Sequence, residues 1–314
     1  MGCCPSSWSC GPPVSLAARL APALGLVALA AALLAAPAGL SSYHRALTFA
    51  ILADVALAVG WAMFSGPSRY LSLATGAFFG LGAYASALTV SRAAWPIPVL
   101  AGAAVAALLA LAVGLLALRL RGPYFAVFTF GLAELVKHSL IWYETSVTGT
   151  VGRLIMDPPG PLALYYTVLA IAAAAVITAA LLRRSRWGLA LVGIGADEER
   201  AETLGIDTVR VKIMTFALSA SFLGAVGAAM APRWTYLDPQ VFSPLVSFQT
   251  VIMALVGGAG TLWGPVLGAA FLGLAGEILL VKFRYLYMLA LGLTLILVVL
   301  LLPQGLAGLG RRRS

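Results

Sequence analysis

Few side chains in this sequence could do chemistry, and their spacing does not assemble a catalytic site. The two histidines, His44 and His138, lie far apart and have no carboxylate or thiol at the usual spacing of metal ligands. The glycine-rich segment GGAGTLWG at 257–264 lacks the lysine that a phosphate-binding loop needs. We therefore predict no catalytic residue, no metal site and no nucleotide site in this chain.

Four charged residues fall within or near long apolar runs: Asp54, Glu134, Lys137 and Glu277. A charge inside a membrane is costly, so it suggests a function by default. Glu134 and Lys137 are three residues apart on one helical face, and we expect them to neutralise each other. Asp54 has no such partner and is a candidate for lining a transport pathway. An ion relay needs several such groups in different spans, and their scarcity disfavours an ion-coupled secondary transporter.

The composition is that of a polytopic helical membrane protein. Of the 314 residues, 61% are hydrophobic and 10% are charged, whereas soluble proteins carry about 25% charged residues. Several charge-free intervals exceed the roughly 20 residues with which a helix crosses the hydrocarbon core. The net charge of +9 does not indicate nucleic acid, because the arginines lie between apolar runs. The three cysteines, Cys3, Cys4 and Cys10, all precede the first apolar run.

Charge gaps and turn residues predict an all-α fold with about ten transmembrane spans, including broken or half-helices. The segment 247–257 is too short to cross unaided, so we interpret it as a half-helix beside the break at 257–264. The predicted spans are 22–40, 47–64, 72–90, 97–118, 123–143, 161–182, 213–231, 247–257, 264–281 and 286–302.

Lysine and arginine are distributed unequally between the two sides of these spans. With a cytoplasmic N-terminus, the inside receives 13 of them and the outside receives 6. The positive-inside rule therefore predicts that both termini are cytoplasmic. We expect a cytoplasmic N-terminal tail at 1–20, a transmembrane domain at 21–303 and a basic cytoplasmic C-terminal tail at 304–314. The longest polar interval, 183–212, then also faces the cytoplasm.

This polar interval contains five of the eleven acidic residues. Residues 196–204 are compatible with a short helix that ends at Gly205, with charged residues on one side and Ala201 and Leu204 on another. A helix of about two turns is not stable alone in water and needs a surface to lie against. Because acidic residues dominate, anionic lipid is a poor partner. We predict that the helix contacts a protein.

Small residues recur at helical spacing in two regions, at Gly76 and Gly80 and again at Gly260, Gly264 and Gly268. This spacing lets two helices approach closely in lipid. It is compatible with tight packing and with a moving or pathway-lining helix. Two segments predicted to lie outside, 143–161 and 232–247, are rich in proline, glycine and aromatic residues and are candidate docking surfaces.

Five stretches, in the same order, resemble the LivM-type permease subunits of branched-chain amino-acid ABC importers, and the likeness covers about residues 45–307. Ala74 and Thr150 stand where that family usually has glycine. The matching stretches are SLATGAFFGLGAY at 72–84, GPYFAVFT at 122–129, TGTVG at 148–152, GGAGTLWGPVLGA at 257–269 and LPQGLAGL at 302–309.

The resemblance implies a role for the polar interval, since WGLALVGIGADEERAETLGID is similar to the coupling loop with which ABC permeases contact their ATPases. Glu199, Arg200 and Ala201 fall on its E-A-A positions and Gly205 on its glycine, with Arg200 replacing the usual alanine. Three sets of site residues follow from the sequence and the resemblance together. They are Asp197, Glu198, Glu199, Arg200, Ala201 and Gly205 for ATPase coupling; Gly76, Gly80, Gly257, Gly258, Gly260, Gly264 and Gly268 for helix packing or hinging; and Thr148, Gly149 and Gly152 for external docking.

The resemblance also implies a multi-pass protein of the bacterial cytoplasmic membrane that works in a larger assembly. Its partners would be a second homologous permease subunit, two cytoplasmic ATP-binding subunits that use ATP and Mg, and an extracytoplasmic solute-binding protein. This chain would bind no cofactor itself, and the substrate would pass at the interface of the two permeases. Two alternatives stay open, namely the same architecture importing urea or short amides, and an ion-coupled secondary transporter.

Overall fold

The computed structural model describes residues 33–35, 37, 41–118, 120, 122–155, 158–282 and 292. The chain divides into two compact units, 1–45 and 46–314. In the first unit, the Ser41 hydroxyl and His44 Nδ1 lie 2.8 Å apart. The second unit holds the helices that position the sites below. The predicted tails 1–20 and 304–314 and the three cysteines lie outside the described residues, as do nearly all of the predicted spans 22–40 and 286–302.

The second unit is built almost entirely from helices. Two strands of two residues each, β1 (Arg153–Leu154) and β2 (Tyr236–Leu237), pair antiparallel and are the departure from the predicted all-α fold. The helices of the described residues are α1 Ser42–Ser68, whose first four residues belong to the first unit, α2 Thr75–Thr89, α3 Ile97–Ala117, α4 Pro123–Tyr143, α5 Pro161–Arg184, α6 Arg186–Ala196, α7 Glu198–Thr203, α8 Thr208–Met230, α9 Pro244–Gly257 and α10 Gly264–Lys282.

Within the described residues, five helices are long and apolar enough to cross a membrane. They are α1, α3, α4 with its continuation to Val147, α5, and α8 with its continuation to Arg233. Prolines at 123 and 161 are the first residues of α4 and α5, where a missing N–H costs nothing. Helix α9 has 14 residues, as expected for the predicted half-helix. The chain is therefore a helical membrane protein.

Helix α2 is shorter than the span predicted at 72–90. It begins at Thr75 and has 15 residues, fewer than the roughly 20 that cross a bilayer. The preceding backbone bonds to hydroxyl groups, because Leu73 N donates to Thr129 Oγ1 at 3.0 Å and Ala74 N donates to Ser72 Oγ at 3.4 Å. Such side-chain acceptors compete with helix formation. The structure thus replaces the start of the predicted span with an irregular segment.

Glycines allow α2, α3 and α8 to pack against one another almost backbone to backbone. A Cβ atom on Gly82 of α2 would lie 2.0 Å from the carbonyl oxygen of Gly224 in α8, and one on Gly102 of α3 would lie 2.6 Å from Ala228 Cβ. The predicted pair Gly76 and Gly80 instead faces the segment before α9, where Phe242 and Ser243 lie. Small residues thus set the spacing of this bundle, as membrane helices require.

The charged residues of α4 do not pair as predicted. Glu134 Oε2 lies 3.5 Å from His138 Nε2, one helical turn further along. Residues at i and i+4 stack along one side of a helix, so His138 competes with Lys137 for the carboxylate. Within the described structure Lys137 has no carboxylate partner, and the predicted pair of Glu134 with Lys137 is wrong.

Candidate functional site

The polar interval 183–212 folds as consecutive helices rather than as a loop with one short helix. Each helix begins with a side chain that caps its free N–H groups. The Ser185 hydroxyl accepts from Gly188 N at the start of α6, and Asp197 Oδ1 accepts from Arg200 N at 3.2 Å at the start of α7. Asp207 Oδ1 accepts from Arg210 N at 3.1 Å at the start of α8. The predicted helix at 196–204 is therefore broken at Asp197, and the span predicted from 213 begins at Thr208.

The last turn of α7 closes on Gly205, as the sequence predicts. Gly205 has a φ of +82°, a left-handed conformation that glycine adopts without a steric penalty. This turn lets Ile206 N donate to Ala201 O at 3.1 Å and Gly205 N donate to Glu202 O at 2.9 Å. Both bonds satisfy carbonyl groups at the helix end. The geometry fixes where α7 stops and α8 begins.

Helix α7 has one face against the protein and one face open. Ala201 is buried, whereas Glu199 and Arg200 are exposed. Leu204, directly after α7, is 80% exposed, so the prediction that it shares a side with Ala201 is wrong. The open face therefore combines charged groups with one apolar side chain, which suits contact with another protein.

The inner face of α7 is held by a buried ion pair. Glu198 Oε1 lies 2.5 Å from Lys212 Nζ, and these side chains are 13% and 2% exposed. Glu198 Oε2 accepts a hydrogen bond from the Tyr70 hydroxyl at 2.5 Å. Lys212 Nζ also donates to the carbonyl oxygen of Leu118 at 3.0 Å. One carboxylate and one ammonium thus connect α7 to α8, to the segment after α1, and to the end of α3.

The sequence places Glu198 among the candidate coupling residues but does not reveal this network. Lys212 closes the polar interval in the sequence, but the structure places it 1% exposed inside the bundle. A buried ammonium is tolerated only when its charge is compensated and its N–H groups have acceptors. The signal in the sequence was a lysine directly before an apolar run, with acidic residues 13 and 14 positions earlier.

An aromatic cluster continues this connection into the bundle. The Tyr70 and Phe125 rings meet edge to face, with centroids 5.3 Å apart. Phe64 of α1 and Phe216 of α8 lie 5.1 Å apart, and Phe125 of α4 contacts both. Aromatic pairs of this kind add stability beyond their buried area. Tyr70 thus connects the inner face of α7 to packed side chains of α1, α4 and α8.

The glycines predicted at 257–268 form a tight turn between α9 and α10. A Cβ on Gly257 would lie 1.8 Å from Gly264 O, and one on Gly268 would lie 2.0 Å from Met253 O. Gly258 has a φ of +103° and ends α9, whereas Gly260 has open space around its Cα. These contacts explain four of the five glycines by packing or backbone geometry.

An arginine at the end of α5 holds this turn. Arg183 donates to the carbonyl oxygens of Gly260 and Thr261, each at 2.9 Å. The guanidinium N–H groups of an arginine can supply hydrogen bonds to backbone carbonyls that lie outside a regular helix. Since α6 begins two residues after α5 ends, the turn between α9 and α10 is coupled to the polar interval.

The two segments predicted for external docking meet each other in the structure. Strand β1 comes from the first and β2 from the second, so that Arg153 pairs with Leu237. Glu144 is buried, accepts from Gly152 N at 2.8 Å and lies 3.5 Å from Arg153. Thr148 ends the π-helical turn that begins at Glu144, and Gly149 follows with a φ of +70°. The strand pair therefore joins the two candidate docking segments into one composite surface.

Asp54, the pathway candidate, lies between two cavities. The larger has a volume of about 430 Å³ and is bounded by α1, α9 and the connection from α8 to α9. The smaller, of about 160 Å³, lies between α1, α9 and α10. Gln249 and Met253 of α9 also line both cavities. Asp54 is thus placed where a small molecule could contact it.

The comparisons with known proteins agree with the membrane architecture. A family model described as the branched-chain amino acid transport system / permease component matches residues 45–302. The chain belongs to this permease family. The match runs from α1 through α10, so it includes the polar interval, the paired strands and the cavities around Asp54. No solved structure matches the chain.

Several curated relatives resemble this permease. The high-affinity branched-chain amino acid transport system permease protein LivM of Salmonella typhimurium is 27% identical over 82% of this chain and 68% of its own length. LivH of Escherichia coli, from the same kind of system, is 29% identical over 40% of this chain and 41% of its own length. The fructose import permease protein FrcC of Rhizobium meliloti is 25% identical over 56% of this chain and 53% of its own length.

Proposed function

We propose that this chain is the transmembrane permease subunit of an ATP-driven ABC importer in the bacterial cytoplasmic membrane. Its substrates are branched-chain or related amino acids. The LivM relatives support this substrate class, since they match over most of this chain, while the fructose permease matches over a smaller share. The same architecture importing urea or short amides is the alternative that uptake measurements distinguish.

Helix α7 is the observation that carries this proposal. A helix of six residues offers an open face of Glu199, Arg200 and Leu204, while its inner face is fixed by a buried ion pair. A segment that only connected two spans would not need an ion pair that fixes its inner face. We infer that the open face docks on a separate ATP-binding subunit, which uses ATP and Mg. Rigid-body displacement of α7 then reaches the spans through Lys212 and Tyr70.

The other end of the bundle suits a second partner. Helix α8 has 23 residues and is therefore about 35 Å long, with α7 before it and the strand pair after it. The proposal accordingly places α7 in the cytoplasm and the composite surface around Gly149 and Gly152 outside, where a solute-binding protein docks. The proposal includes about ten spans with both termini cytoplasmic. It also includes a second homologous permease, with substrate passing between the two chains. The match to LivH supports such a second permease.

Reconstitution tests this function. The permease pair, ATP-binding subunits and binding protein from neighbouring genes are assembled in proteoliposomes, and uptake of labelled leucine, urea, acetamide and fructose is measured. We expect leucine uptake that requires both ATP and the ATP-binding subunits. The matched control is this chain alone under a proton or sodium gradient. Uptake by this chain alone, without any ATPase, would show a secondary transporter and overturn the proposal.

A further inference from the structure

The larger cavity beside Asp54 has a chemical character that suits one kind of ligand. Its volume of about 430 Å³ falls within the range of small-molecule sites. Among the described residues that line it, two are carboxylates, Asp54 and Asp238, and none is a lysine or arginine. Much of the remaining lining is apolar and includes Leu57, Val246 and Met253. The cavity therefore combines negative charge with an aliphatic wall.

The two carboxylates differ in whether they are available to a ligand. Asp238 Oδ1 accepts from Gln240 N at 2.7 Å and caps the short helical turn Pro239–Phe242. Within the part of the chain that the structure describes, no hydrogen bond or ion pair reaches the Asp54 carboxylate. An acidic side chain in a membrane span without a partner is retained at a cost in stability. Asp54 is therefore the group that a cationic ligand would satisfy.

The neighbours of Asp54 add polar contacts to this charge. Gln249, one turn before Met253 on α9, lines both cavities together with Asp54, and Thr250 lines the larger one. The Thr250 hydroxyl donates its proton to Val246 O at 2.8 Å, so this group can act towards a ligand as an acceptor. Carboxylate, amide and hydroxyl oxygens together are acceptors for the N–H groups of an ammonium ion. Glutamine also offers N–H donors to a carboxylate.

We propose that Asp54, with Gln249 and Thr250, forms a subsite for the ammonium group of an aliphatic amino acid, whose side chain lies against Leu57, Val246 and Met253. This subsite deepens the proposed function and rests on it for the identity of the transported molecule. The bond between an ammonium ion and a carboxylate is charge-assisted, so it is stronger than a neutral hydrogen bond. The aliphatic wall favours a branched side chain by excluding water.

A binding measurement on the purified permease tests the subsite without transport. The probe is 3-methylbutylammonium, which keeps the ammonium group and branched chain of leucine but lacks the carboxylate. We expect it to raise the thermal stability of the wild-type protein. For Asp54→Asn, the same increase should require about tenfold more of the probe, because one charge-assisted bond is lost. The acid 4-methylpentanoate, which lacks the ammonium group, should show no such dependence on residue 54.

Two further variants keep the result interpretable. Asp54→Glu retains the charge, so it should keep more of the response to the probe than Asp54→Asn does. Glu134→Gln removes another acidic group in a span, one that faces His138, and should leave the response unchanged. An equal response of wild-type and Asp54→Asn proteins, or none in either, would overturn the subsite. Failure of ATP-driven leucine uptake would instead contradict the proposed function, and the two failures are separate measurements.

Discussion

Replacing Lys212 with methionine is expected to destabilise the permease strongly and to abolish most of its uptake. The substitution keeps most of the length of the side chain but leaves the largely enclosed Glu198 carboxylate without its counter-ion. Removing one partner of a buried ion pair typically costs about 3–5 kcal/mol. It also frees the Leu118 carbonyl, which accepts from Lys212. The measurement is the apparent melting temperature of the purified complex, together with its leucine uptake.

Two comparisons decide whether the ion pair is the cause. Arg210→Met removes an exposed pair, Arg210 with Asp207, and such pairs contribute under about 1 kcal/mol. The double variant Glu198→Gln with Lys212→Met removes both charges, while the introduced glutamine can still accept from the Tyr70 hydroxyl. Because the two residues interact, we expect the double variant to be more stable than Lys212→Met alone. Equal stability of the two would contradict the role of the pair.

The second large effect is expected at Gly205, which ends α7. Valine is β-branched and is strained at a φ of +82°, at a cost of about 1–3 kcal/mol. The hydrogen bond from Ile206 N to Ala201 O would be broken in a fraction of the protein molecules. In that fraction α7 would not present its open face correctly. A cost near 1.4 kcal/mol corresponds to a tenfold loss. Gly205→Val should therefore reduce uptake about tenfold, while ATP hydrolysis by the assembled complex continues.

The matched controls separate backbone strain from added bulk. Gly131 of α4 also has open space around it, but its φ is outside the left-handed region, so Gly131→Val should leave uptake nearly unchanged. Asparagine tolerates left-handed conformations better than other residues, and Gly205→Asn should retain most of the uptake. If Gly205→Val transports as well as Gly131→Val, the geometry of α7 is not required for coupling.

The long helices could be predicted well because their boundaries are local. Proline begins α4 at 123 and α5 at 161, and the prediction places both starts at these residues. Basic residues Arg183 and Arg184 mark the end of α5. The interruption before Thr75 could not be predicted, since Leu73 bonds to a hydroxyl group of Thr129, 56 residues later in the chain. The strand pair likewise joins positions 153 and 237, whose register no local pattern specifies.

The short helix α7 was predicted in position but not in its contacts. The acidic stretch before Gly205 indicated a short helix with a protein partner, and the structure places a helix there. The pattern could not show that Glu198 faces inward, because its ion partner Lys212 appeared to belong to the polar interval. It also could not show that Leu204 is exposed, since burial depends on which elements pack against α7. Local sequence thus predicts the element, while long-range charge compensation decides which of its faces is exposed.

The most direct test of the central claim is photo-crosslinking from the open face of α7. A benzophenone amino acid replaces Leu204 in the co-expressed complex with its ATP-binding subunits, and the crosslinked product is identified by mass spectrometry. The control carries the same group at Leu154 of β1, which is exposed at the other end of the bundle. We predict a product of this permease with the ATP-binding subunit from position 204 and none from position 154. An intact complex that gives no such product from position 204 would contradict coupling through α7.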